Sequence, residues 1–144
     1  MTTQSRRDDI TSSLQSIQNT IKSASSTPTR LVAVSKLISN DDIKVAYEAG
    51  QRHFGENYIQ ELTAKAAELP DDIKWHFIGA LQSNKCKHLV EKVRNLWCVQ
   101  TVNSEKKARL LEAGAESAGR KEPLKVFIQI NTSGEDRRHL LGCN

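Results

Sequence analysis

Leu31-Val32-Ala33-Val34-Ser35-Lys36 is the stretch that decides the fold. A short run rich in β-branched residues reads as a buried strand. Runs of the same kind recur along the chain. The candidate strands are 31–36, 52–56, 74–79, 96–102 and 124–131, and their starts fall about 21 to 28 residues apart. Helical patterns fill the gaps at 40–49, 57–69, 83–93 and 104–118. Ser39 with Asp42 three residues later reads as a capping box, and Gly50 as a helix stop. A further amphipathic helix is predicted over 8–24, where Ile10, Leu14, Ile17 and Ile21 make one apolar stripe.

Strand and helix alternating at this period mean repeated βαβ units and a parallel sheet. Right-handed crossovers with every helix on one side close into a (β/α)8 barrel, which takes eight strands and roughly 250 residues. The chain has 144 residues and supplies five strands. The predicted fold class is α/β: a partial (β/α)8 TIM-type barrel of about five parallel strands with alternating helices, plus an N-terminal helix. Such a sheet is expected to leave two strand edges open.

Bulk properties narrow the function. No apolar run approaches the ~20 residues of a membrane span. The N-terminus carries Asp8 and Asp9 and has no apolar segment, unlike a secretory or transit signal. Cys86, Cys98 and Cys143 are odd in number and widely spaced. That argues against a disulfide framework or a zinc site and for a reducing compartment. The net charge is +4, but acids and bases are interspersed and aromatic residues are 5% of the chain. This pattern reads as a solvated mixed-charge surface, not a nucleic-acid face. A cytoplasmic protein without membrane or nucleic-acid partners is expected, and a mitochondrial location is also compatible.

Ligands of α/β barrels and open parallel sheets bind at the carboxyl ends of the strands. Polar residues collect at that end: Lys36; Glu56 and Asn57; His76 with Gly79 and Gln82-Ser83-Asn84-Lys85; Thr101 and Asn103; Gln129 and Asn131. Each has a plainer reading. Most lysines simply stand in water. The asparagines could cap helices, Gly79 could serve a tight turn, and His76 could be a satisfied core histidine. Trp75 and Phe77 lie on the other strand face and are expected to pack under helices. Convergence of polar groups at one end favours a pocket with an amine, since a lysine there can act as a nucleophile toward a carbonyl.

Four words of sequence carry a resemblance: Val32-Ala33-Val34-Ser35-Lys36, Phe54-Gly55-Glu56-Asn57-Tyr58-Ile59-Gln60-Glu61, Trp75-His76-Phe77-Ile78-Gly79-Ala80-Leu81-Gln82-Ser83-Asn84-Lys85 and Val126-Phe127-Ile128-Gln129-Ile130-Asn131-Thr132-Ser133. In order and spacing the chain resembles the pyridoxal 5′-phosphate (PLP) homeostasis proteins, single-domain relatives of the alanine racemase N-terminal barrel. The resemblance implies that Lys36 holds PLP as an aldimine, that Asn57 lies near the cofactor's ring or 3′-oxygen, and that His76 and Gly79 line the pocket. It implies a PLP carrier or regulator without turnover, monomeric at full length, with apo PLP-dependent enzymes as partners. The alternatives are a racemase- or aldolase-like Schiff-base enzyme and a fragment that binds nothing. Tyr47 and Tyr58 read as helix residues, so no second acid–base group is placed opposite Lys36.

Family members continue for three more βα units, which carry the phosphate-binding cup. The resemblance therefore implies a C-terminally truncated member: residues 1–136 as the N-terminal portion of the barrel and 137–144 as a divergent tail. Phosphate contacts dominate retention of such a cofactor. The expectation is that this chain alone binds PLP weakly or not at all.

Overall fold

The pairing of Ala33 with Phe54, Phe54 with Trp75 and Trp75 with Leu96 sets the architecture, because those four residues form one row across a parallel sheet. The computed structural model describes residues 2–132. The tail expected at 137–144, and Cys143, lie outside the described residues. Helix α1 spans Gln4–Ala24, then follow β1 (Ala33–Val34), α2 (Asn40–Glu48), β2 (His53–Glu56), α3 (Ile59–Glu68) and β3 (Lys74–Phe77). A 3₁₀ turn, Ser83–Lys85, leads into α4 (Cys86–Lys92), followed by β4 (Leu96–Val102), α5 (Glu105–Ser117) and β5 (Lys125–Ile128). Sheet order equals chain order, and every pairing is parallel. Moving always one way with right-handed crossovers puts the helices on a single face. This is part of a TIM-type barrel, as the spacing of the strands predicts.

Local chemistry accounts for the element ends. Ser39 Oγ accepts from the Asp42 amide at the start of α2, and Ser104 Oγ from the Lys107 amide at the start of α5. The expected capping box is only half made. The Asp42 carboxylate turns instead to Arg6 of α1 and to Thr2 just before that helix, both of which donate to it. Gly50 follows α2 at φ +96°, a left-handed stop that suits glycine.

The core lies between sheet and helices. Phe54, Trp75, Phe77, Leu96 and Val99 from the strands meet Ile43, Leu62, Leu89, Val90 and Leu111 from the helices. Each full burial of this kind contributes about 1.5–3 kcal/mol. Trp75 and Phe77 thus pack as the strand alternation predicts. The first run departs from its reading as a buried strand. Only Ala33–Val34 pairs, and Val34 is 55% exposed. The reason is its place: among the described strands β1 stands at the edge, paired with β2 alone. The far edge is similar, since all of β5 is exposed. The α1 stripe is also partly open, with Leu14 buried and Ile17 49% exposed.

Candidate functional site

The carboxyl end of β1 runs into a turn that carries Lys36. Ser35 continues the strand path by donating its amide to Gly55 O (2.9 Å), and Ile38 N closes the turn onto Ser35 O (3.1 Å). Between them Lys36 is exposed, and Leu37 sits at φ +62° with 80% of its surface in water. A left-handed leucine costs roughly 1–2 kcal/mol.

Hydrogen bonds from below hold this turn. Ser35 Oγ donates to Glu56 Oε1 at 2.7 Å. Lys65 Nζ, buried on α3, donates to Ser35 O (2.7 Å), Glu56 Oε1 (2.7 Å) and Glu61 Oε1 (2.6 Å). Glu61 Oε1 also accepts the Leu37 amide at 2.7 Å. Burial pushes the Glu61 carboxyl up, but the hydrogen bonds from Lys65 and Leu37 outweigh it, and the net shift is downward. Lys65 uses all three ammonium hydrogens in these bonds, whereas Lys36 takes part in none of them.

Two residues are corrected here. Glu56 does not line a pocket at the strand end. It shares the helix-facing side of β2 with Phe54 and is fully buried against Lys65. Its second oxygen, Oε2, has no partner among the described residues. Tyr58 is not inside a helix. It is the residue before α3, beside Asn57, and is 54% exposed. Tyr47 is helical, and its hydroxyl donates to Asp72 (2.6 Å).

Asn57 and Gly79 lie together. A Cβ on Gly79 would stand 2.1 Å from Asn57 O, so glycine is what lets the backbone after β3 approach the backbone after β2. Thr101 Oγ1 fastens the same place by donating to Gly79 O at 2.6 Å. Asn57 does not cap α3, whose cap position is Tyr58. Three bonds thereby tie the ends of four strands, β1 to β4, around the Lys36 turn: Ser35 to Gly55, Ile78 to Glu56, and Gly79 to Thr101.

His76 sits lower. It pairs in the row of Gly55 and Val34, two residues short of the Lys36 level, and is 1% exposed. Its Nε2 lies 2.8 Å from His53 Nδ1, and Gln100 Nε2 lies 2.9 Å from its Nδ1. With the glutamine amide as donor, His76 carries its proton on Nε2 and gives it to His53. Trp97 packs on both rings. This tryptophan is the extra residue where the β3–β4 register shifts, and Arg30 and Lys125 stand over it. Burial, followed by the charges of Arg30 and Lys74, lowers His53 to about 4. Burial, then His53 and Arg30, lowers His76 to about 4. Both rings are neutral at pH 7. His76 is a satisfied interior histidine, one layer beneath the strand ends.

The sequence reading missed Lys65. A lysine on an amphipathic helix looks solvated, and Glu61–Lys65 looks like an ordinary exposed i,i+4 pair. The available signal was Glu56, an acid ending a strand whose helix-facing neighbour is Phe54. A cavity of about 360 Å³ lies at the other end of the sheet, lined by Lys22, Arg30, Gln51 and Arg52 among others, away from Lys36.

Among known proteins, the pyridoxal phosphate homeostasis protein of Schizosaccharomyces pombe is 52% identical over 108 residues, 75% of this chain and 44% of that protein. The human protein of the same name is 48% identical over 115 residues, 76% of this chain and 42% of the relative. The chain thus spans about half the length of the curated relatives it matches. The solved structure of PipY from Synechococcus elongatus PCC7942 with PLP bound superposes with a TM-score of 0.65 and 41% identity, covering 77% of this chain and 50% of PipY. A protein from Bifidobacterium adolescentis shares the fold at 24% identity and a TM-score of 0.71, over 88% of this chain and 62% of its own. With residues 7–142 matching the model of the alanine racemase N-terminal domain, the chain belongs to that family.

Proposed function

We propose that this chain carries the lysine side of a PLP-binding site and serves intracellular PLP homeostasis. The observation that carries the reading is Lys36: an exposed amine on a fixed turn at the carboxyl end of a parallel strand. Relatives named pyridoxal phosphate homeostasis proteins, and PipY with PLP bound, support it. The donor set fits the aldehyde end of PLP. Lys65 is held by three acceptors and is unavailable as a nucleophile, while Lys36 is accessible. When bound, the cofactor supplies an electron-withdrawing ring and an aldehyde that condenses with an amine, releasing water. Lys36 Nζ is the amine; Asn57 and Gly79, pressed together beside it, form the adjoining wall. His76, neutral, lies one layer deeper, bonded to His53 and Gln100.

The role is that of a carrier without turnover, handing cofactor to apo PLP-dependent enzymes. It acts in the cytoplasm or the mitochondrion, as a monomer in its full-length form, with no nucleic-acid or membrane partner. Free, buried Cys86 and Cys98 fit a reducing compartment, and no described helix is long and apolar enough to cross a membrane. Against racemisation, the Tyr47 hydroxyl is occupied by Asp72. The test is PLP titration followed by absorbance of the lysine imine, with Lys36→Ala as control. A band that survives Lys36→Ala overturns the lysine assignment. Racemisation of amino acids, lost in Lys36→Ala, would make the protein an enzyme. Binding by these 144 residues is expected to be weaker than by a full-length relative, because phosphate contacts contribute most to retention.

A further inference from the structure

We propose that the buried Glu56–Lys65–Glu61 network is the positioning device for Lys36: it holds the strained turn and so aims the one lysine that reacts. The proposal rests on the reading of Lys36 as the reactive amine. Lys36 is bracketed. Ser35, before it, is held through its amide by Gly55 O, through its hydroxyl by Glu56 and through its carbonyl by Lys65 Nζ. Leu37, after it, is held through its amide by Glu61.

What holds Leu37 at φ +62° is the deciding point. Unfavourable backbone of this kind persists only where the surroundings over-determine it. Side-chain packing does not do so, since Leu37 is 80% exposed. The restraint is therefore the bonds to the flanking residues: Glu61 accepts the Leu37 amide, Lys65 donates to Ser35 O, Glu56 accepts the Ser35 hydroxyl, and Lys65 joins the two carboxylates. A buried ion pair is a poor way to gain stability alone, because apolar residues of equal volume do as well or better. Its position, directly under the turn that carries the exposed Lys36 between two anchored neighbours, gives it a use that apolar packing lacks: point-by-point orientation of backbone amide and carbonyl. The network also separates two lysines chemically. Lys65 is saturated with acceptors, and Lys36 is left free to reach a carbonyl.

The test compares wild type, Glu61→Gln, Lys65→Met and the double variant Glu56→Gln with Lys65→Met. The double variant removes both buried charges together and guards against simple unfolding. The first readout needs no cofactor: hydrogen exchange of the Leu37 amide. It is expected to speed up at least tenfold in the double variant and severalfold in Glu61→Gln, with the Phe77 amide in β3 unchanged. The second is exposure to PLP, borohydride trapping and peptide mass spectrometry, reading the share of adduct on Lys36 against all other lysines. That share is expected to fall at least fivefold in the folded double variant. Unchanged Leu37 exchange in folded variants overturns the proposal, as does an undiminished Lys36 share. A wild type with no preference for Lys36 overturns the functional reading instead, and the exchange rates then decide by themselves whether the network holds the turn.

Discussion

Gly79→Ala gives the sharpest test of how the strand ends are assembled. The new Cβ would stand 2.1 Å from Asn57 O, 2.7 Å from its carbonyl carbon and 2.8 Å from its Cα. An ordinary carbon–oxygen contact is roughly 3.3 Å, so the two backbones must part by about 1.2 Å. Neither side yields easily, because Gly79 O is fastened to Thr101 and the Asn57 segment continues directly from buried Glu56. Overpacking typically costs about 1–3 kcal/mol, and a backbone obstacle puts this site near ~3 kcal/mol. With a urea m-value of about 2 kcal/mol/M, the midpoint should drop by about 1.5 M. Gly55→Ala is the control. Its Cβ would meet only side-chain atoms, Ile78 Cδ1 at 3.1 Å and Val32 Cγ1 at 3.3 Å, which can move a few tenths of an ångström. That variant should lose less than about 1 kcal/mol. A Gly79→Ala midpoint within 0.5 M of wild type (about 1 kcal/mol at that m-value), or an equal loss in Gly55→Ala, would refute the close-approach argument.

Other outcomes follow from the same geometry. His53 and His76 are lowered from 6.5 to about 4, so between those values the unfolded chain binds more protons than the folded one. Their contribution is complete above pH 6.5 and is lost as the pH falls toward 4. Allowing for solvent at His53, roughly 3 kcal/mol should disappear for the pair, read as a falling urea midpoint between pH 7 and pH 4.5. Arg30→Met removes a cation that depresses both rings, so both imidazole titrations, followed by proton NMR, should move upward; a downward move would contradict the charge assignment. Ser39→Ala and Ser104→Ala each delete a helix cap and should cost about 1 kcal/mol in thermal or urea unfolding.

The fold was legible because its period is regular. Strand starts, helix stripes, Ser39 and Gly50 could all be read along the chain, each resting on local chemistry. Two open edges could be expected, but not which residues they would expose. Val34 and β5 have strand-like sequences whose exposure depends on how many neighbours the sheet provides. Lys36, Asn57 and Gly79 could be placed at the strand ends by counting. The direction in which Glu56 points, and the burial of Lys65, depend on a contact between β2 and α3 that no single-helix pattern contains. His76 came with its partner unseen, because the bond to His53 joins residues in adjacent strands and Trp97 reaches both only through the β3–β4 register shift.

The row Ala33, Phe54, Trp75, Leu96 has a consequence for how the molecule forms. Each strand docks on the one made just before it, after a connection of nearly constant length. The entropy of closing each connection between the described strands is then about the same. Each parallel pairing spans a whole crossover of about 20 residues, so every docking step is slower than closing a hairpin. On a ribosome the sheet can grow one crossover at a time from the N-terminus. The side chains that hold the Lys36 turn, Glu56, Glu61 and Lys65, all lie in β2 and α3, so its supports are complete in the first half of the chain.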